Sequence, residues 1–335
     1  MAEAVVAAVG VSLLLYLLFG GADFGAGILE LIVGRRAEVY VDRALSPVWE
    51  TNHVWLILAL VLTFVAFPEA FAVVSTYLHV PLSLALLGIV ARGVAFTFRH
   101  YDPAPPTTRR WYTWVFRVSS VLTPMFLGIA FAAAIEGRLH DRLEEGFVSV
   151  FISPWLSPFC LSVGLFVCAL CVFSASSLLA AERGPGQGGA LPYLRVARAA
   201  HVATVVSGGV VFGVAWIDGV HLARNFLASG LSVASMGVAT LLIPAVAWSF
   251  GRARVGWLRL AVGAQIVTIV VGLAAAQLPE LVRLEGQTPL TYMEAAAPEA
   301  TLRLLLVALG IGAAFIVPGL VALFTVYKRG DHDVR

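Results

Sequence analysis

The chain has 335 residues, of which 60% are hydrophobic and 13% charged, against about 25% charged in ordinary globular domains. So few polar groups cannot cover a soluble protein of this length, so the composition places the chain in a membrane and excludes disordered, collagen-like and disulfide-scaffold classes. The 22 basic and 20 acidic residues nearly cancel and leave no basic stripe for a nucleic acid.

A spanning helix needs about 20 mostly apolar residues. Nine such runs follow one another, at approximately 5–33, 53–73, 77–98, 113–135, 157–181, 200–217, 230–249, 258–278 and 303–327. Their lengths suit helices rather than the alternating strands of a barrel. The predicted fold is therefore all-α, a polytopic membrane protein with nine transmembrane helices and one transmembrane domain over 1–335. The first run has no basic segment before it and reads as a retained helix, not a cleaved signal. Around Asp23 it carries Gly20, Gly21, Gly25 and Gly27 with Ala22 and Ala26, a small-residue seam that lets helices approach.

Pro68 and Glu69 mark the turn between the second and third runs, and Pro81 is a candidate kink at the start of the third. Residues 102–108 and 184–189, rich in Pro and Gly, cannot continue a helix comfortably. The fifth run holds Cys160, Cys168 and Cys171. The last two share a helix face in hydrocarbon, where a thiolate is disfavoured and inert packing is expected. Gly208, Gly209 and Gly213 in the sixth run form a second seam, assigned to packing. The segment 279–301 is polar, acidic and helix-compatible near its end. No strong internal repeat is visible.

With nine spans the loops alternate sides. One side collects 15 basic residues, Arg35, Arg36, Arg43, Arg99, Arg109 and Arg110 among them, and the other side five. The positive-inside rule then puts the C-terminus in the cytoplasm and the N-terminus outside.

An ionisable residue inside a membrane helix is costly, and is usually functional or paired. Asp23, Glu50, His53 and Arg92 stand out, and Arg117 opens the fourth span. All five map to the cytoplasmic half, whereas the outer halves hold almost nothing comparable. Glu50 and His53 are spaced i, i+3 on one helix face. A carboxylate, an imidazole and water can relay protons, so the pattern predicts a half-channel from the cytoplasm. Against this stands a plainer reading for Asp23 and Arg92, a buried structural ion pair joining the first and third spans. Haem needs an axial ligand, most often histidine. His100, His140, His221 and His332 fall in loops or the tail, and His53, His79 and His201 fall at helix ends. With no clustered Cys/His metal set, no haem or metal is expected on this chain's own ligands.

The stretches GGADFGAG at 20–27, VGRR at 33–36, SPVWETNHVWL at 46–56 and VARGVAFTFR at 90–99 resemble subunit II of cytochrome bd-type quinol oxidases. AAAQLPELVR at 274–283, LTYMEAAAPEATLRLLLV at 290–307 and FTVYK at 324–328 resemble that family's C-terminal pattern. The middle, about 110–270, matches only in hydropathy.

The resemblance implies two four-helix bundles plus a peripheral helix in the cell (inner) membrane. It implies a respiratory oxidase that oxidises quinol, reduces dioxygen to water and takes protons from the cytoplasm. Haem b and haem d belong to the larger partner, subunit I, which this chain stabilises. A bound quinone and a small accessory subunit also belong to the resemblance, with no residue here assigned to either. Glu50 occupies the acidic position of the family's W-[DE]-x-N-x-V-W motif on the proton path, with Trp49, Asn52 and Trp55 completing it. His53 replaces a familiar Gln. Asp23 matches the acid of the D-[LMF]-G-x-G stretch, and a further acid that often precedes it is absent at Gly20–Gly21. Arg92 and Arg99 match two family arginines. The proton path expected is Glu50, His53 and Asp23, supported by Arg92, Arg99, Trp49, Asn52 and Trp55. The rival reading, a secondary transporter, expects paired helix breaks in two repeats and a midplane site.

Overall fold

A computed structural model describes residues 1–34, 49–101, 106–182, 191–252 and 255–330. Within them, the side chains of 49–51, 100–101, 106–107, 143, 181–182, 191–192, 251–252, 255–256, 317 and 320–330 lie outside the description. The long helices are α1 (Ala2–Val33), α2 (Trp49–Ala66), α4 (His79–Tyr101), α5 (Pro106–Glu136), α7 (Pro158–Glu182), α8 (Leu191–Ile217), α10 (Gly230–Arg252), α11 (Val255–Gln277) and α12 (Glu299–Gly330). Shorter elements are α3 (Pro68–Tyr77), α6 (Phe147–Phe151), α9 (His221–Ala228) and the strands β1 (Glu280–Val282) and β2 (Leu290–Thr291).

Eight helices are long and apolar enough to cross a membrane, and counting the bent pair of α2 and α3 as one span brings the number to nine. The second predicted run, 53–73, is not continuous. It breaks at Phe67 and turns by 117° into α3. Pro68 supplies no N–H and pushes the preceding residue out of helical geometry, and Phe67 sits at φ −133°, ψ 61°.

The first bundle comprises α1, α2, α4 and α5, and the second α7, α8, α10 and α11. They join where α7 packs against α1 and α5, while α12 touches only the edges of α2 and α1. Successive spans alternate in direction, so α1 and α4 run from the end of the molecule holding Met1 to the end holding Gly34. At the Met1 end one apolar cluster gathers Val5, Ala66, Leu78, Leu139, Trp155, Val282 and Leu302.

There the segment after α11 forms a small antiparallel hairpin, with Glu280 opposite Thr291. Backbone bonds stitch it to the bundle: Arg283 N to Ala134 O (2.9 Å), Glu285 N to Leu139 O (2.7 Å) and Ala297 N to Ala66 O (2.8 Å). The hairpin is not visible in the hydropathy of 279–301, because it satisfies its backbone against the bundle rather than along itself.

Gly25 and Gly27 require their missing side chains. A Cβ on Gly25 would fall on the backbone carbonyl of Cys171 in α7, and one on Gly27 would fall on Ser120 of α5. Such close approach is what a small-residue seam permits. The second seam is not one: Gly208 meets Phe166 at 3.3 Å, but Gly209 and Gly213 have nothing within 4 Å.

Candidate functional site

Two ionic layers cross the first bundle. In the upper one, Arg92 of α4 reaches Asp23 of α1 with both terminal nitrogens, Nη1 to Oδ2 at 2.5 Å and Nη2 to Oδ1 at 2.7 Å. Nη2 also donates to the Asp23 carbonyl at 2.9 Å, and Nε to Ser120 Oγ of α5 at 2.9 Å. Both residues are buried. In the lower layer, Arg99 Nη1 lies 3.0 Å from Glu30 Oε2, and Arg117 Nε of α5 approaches the same oxygen at 3.3 Å. Glu30 and Arg99 side chains are fully enclosed.

The layers arise from register. Asp23 and Glu30 are seven residues apart on α1, as are Arg92 and Arg99 on α4. Seven residues are two turns, about 10 Å, so each acid recurs on the same face. Since α1 and α4 run in parallel, the two pairs stack. Both guanidiniums also lie over the fully buried Phe116 ring, Arg92 at 4.8 Å and Arg99 at 4.5 Å from its centroid, where cation–π attraction adds to the ion pairs.

Sequence reasoning treated Arg99 as a loop charge and passed over Glu30. Arg99 is instead a buried helix residue, and Glu30 is its carboxylate. The signal was available: an acid seven residues after Asp23, inside the first predicted span.

α2 meets this region at an unexpected depth. Asn52 Nδ2 donates to Phe19 O at 3.4 Å, and Ala66 shares the Met1-end cluster with Val5. This antiparallel register puts the backbone of Glu50 at about the level of Gly21, beside the Asp23 layer. The side chains of Trp49 and Glu50 lie outside the described residues. His53 projects toward α1, its ring 6.1 Å from Tyr16 and 6.3 Å from Phe24. Trp55 packs against the same Tyr16–Phe24–Cys171 cluster. The structure therefore brings Asp23, Arg92, Asn52, His53 and Trp55 together, with Arg99 one layer lower.

Two further expectations need correction. The Met1 end, expected to face outward, is not free of buried acid. Glu136, closing α5 at the Met1 end, accepts from Ser157 Oγ at 2.7 Å and Cys160 Sγ at 3.1 Å, with Arg138 Nε 3.0 Å away. His201 is not at a helix end. α8 begins at Leu191, nine residues before the predicted run, because Arg195 and Arg198 masked its apolar start. His201 is buried and stacked on Phe173, with ring centroids 4.8 Å apart.

The second bundle forms an apolar cleft of about 300 Å³, open along exposed residues such as Phe131 and Met236. It is lined by Phe159, Phe166, Phe212 and Phe226, with Thr204 and Gln265 as polar groups. No histidine lies on its wall, and the rings of His53 and His201 are each packed against other aromatic rings. This wall therefore offers no histidine ligand to a haem. The described residues hold no group of three metal-ligating side chains.

Comparison with known proteins bears on this arrangement. Over 154 residues the chain is 27% identical to the cytochrome bd ubiquinol oxidase subunit 2 of Bacillus subtilis (strain 168), covering 45% of this chain and 44% of that one. Over 131 residues it is 29% identical to the cytochrome bd-I ubiquinol oxidase subunit 2 of Escherichia coli (strain K12), covering 38% and 34%. The matched stretch thus spans less than half the length of these curated relatives. In three dimensions the chain resembles a chain in the structure of bd oxidase from Geobacillus thermodenitrificans, with a TM-score of 0.80 and 20% identity over 97% and 98% of the two chains. That likeness establishes a shared fold. The family described as cytochrome bd terminal oxidase subunit II matches residues 1–327, and the chain belongs to it.

Proposed function

We propose that this chain is subunit II of a bd-type quinol oxidase in the cell (inner) membrane, with its N-terminus outside and C-terminus in the cytoplasm. The whole chain, 1–335, acts as one membrane domain. It packs against a haem-bearing subunit I, which handles quinol and dioxygen, and it leads protons inward from the cytoplasm. Membership of the family favours this reading over a secondary transporter.

The observation that carries the proton path is the depth of the Glu50–His53 turn on α2. The register of α2 against α1 sets that turn beside the Asp23–Arg92 layer, with the His53 ring facing α1. Glu50 and His53 are the carriers. Asp23, with both oxygens engaged by Arg92, serves as half of a fixed ion pair that orients the region, a role shared with Arg99 and its Glu30 layer. Asn52 and Trp55 hold α2 against α1.

Glu50→Leu in the intact complex is expected to lower quinol oxidase turnover by about tenfold or more, the scale of a lost proton-transfer group, with haem content near normal. Unchanged turnover would remove the proton path. The assembly itself is checked by purifying through this chain, when haem b and d absorption bands should accompany it; a preparation without them would remove the oxidase reading.

A further inference from the structure

Two enclosed polar atoms near the Asp23 layer lack a hydrogen-bond partner: Tyr16 Oη and His53 Nδ1. An unsatisfied buried group of this kind costs about 1–3 kcal/mol, a cost commonly met by an internal water. Tyr16 is 7% exposed. Its ring lies against Gly20, where a Cβ would stand 3.0 Å from Tyr16 Cε2, so it leans along α1 toward Phe24. Tyr16, Phe24 and His53 form a triangle of rings with centroids 6.1–6.3 Å apart, and Arg92 covers Phe24 at 5.1 Å.

We infer that Tyr16 Oη and His53 Nδ1 share a buried water, and that Tyr16 is thereby the positioning residue that fixes the hydrogen bonding of the His53 ring. Imidazole has two distinct nitrogens, and the bond made by one decides the protonation of the other. A hydroxyl can donate or accept through the same water, so Tyr16 can follow His53 through a change of charge without leaving its place. Among the described residues, the titratable or charged groups acting on Tyr16 and His53 are Asp23 on α1, Arg92 on α4 and Cys171 on α7. The role of this water in proton transfer rests on the proton-path reading above; its existence does not.

The test uses infrared difference spectra of the whole oxidase complex carrying ring-15N histidine. The band lost in His53→Gln identifies His53. Tyr16→Phe keeps the ring and removes the hydroxyl, and is expected to shift that band and lower turnover by about threefold to tenfold, with haem content unchanged. Gly20→Ala keeps the hydroxyl but displaces the ring, and is expected to shift the same band. A His53 band unmoved in both variants would overturn the inference, whatever the turnover. Normal turnover in Glu50→Leu with a shifted band in Tyr16→Phe would overturn the proton path and leave the shared water standing.

Discussion

The two four-helix bundles bury different things. The first holds two layers of arginine and carboxylate stacked over one aromatic ring, and the second holds a histidine, a glutamine and an apolar cleft. In a low-dielectric interior a charge without its partner is very costly. An unpaired amide costs far less, and an apolar void costs mainly lost contacts. The first bundle is therefore locked to one register by its charges. The second can tolerate local change.

The sharpest way to break this contrast is Arg92→Leu, which leaves Asp23 buried alone and should cost about 3–5 kcal/mol. The detergent-solubilised complex should melt well below the parent, and Asp23→Leu in the same chain should restore much of the loss. A double variant as unstable as the single one would show that the pair is not what holds the register.

Gly25→Ala comes next. Its Cβ meets the α7 backbone, and overpacking of this kind costs about 1–3 kcal/mol. Gly209→Ala, where an added Cβ on α8 meets nothing within 4 Å, should instead be neutral or gain about 0.5–1 kcal/mol from helix preference. Equal melting shifts for the two would erase the difference between the bundles. Gln265→Leu in the second bundle replaces a buried amide whose Oε1 lacks a hydrogen bond, and should change stability by less than about 1 kcal/mol.

The smallest effect lies outside both bundles. The Thr291 hydroxyl and backbone N–H donate to Glu294 at 2.8 and 3.1 Å, and these bonds hold its carboxyl below the usual range. With a depressed pKa, the contact is fully present above the ordinary glutamate value and is lost as pH falls through the lowered one. Amide exchange at Thr291 should rise across that interval, and a flat profile would show that the hairpin is held by the bundle alone.

Much of this was legible in the residues. Nine apolar runs gave the spans, and Asp23 and Arg92 announced themselves as intramembrane charges. The family stretches at 20–27 and 46–56 marked α1 and α2. What escaped did so for physical reasons. Glu30 lay inside a long run whose hydropathy it barely lowered, and Arg99 read as a loop charge because α4 extends beyond its apolar part. The depth of Glu50 depends on the register of α2 against α1, which no reading along the chain supplies. His201 was misplaced because Arg195 and Arg198 cut the apolar run short. The hairpin at 280–291 depends on partners far away in sequence.

The depth of the Asp23 layer has an electrical consequence. From the level of Asp23 to the end of α1 at Val33 is ten residues, about 15 Å at 1.5 Å per residue, which is about half of a 30 Å hydrocarbon layer. A charge carried from the Gly34 side to that depth crosses about half of the membrane voltage. At roughly 2.3 kcal/mol per 100 mV for a full crossing, each proton's arrival would involve about 1 kcal/mol of electrical work. Occupancy of the site would then respond to membrane potential as well as to pH.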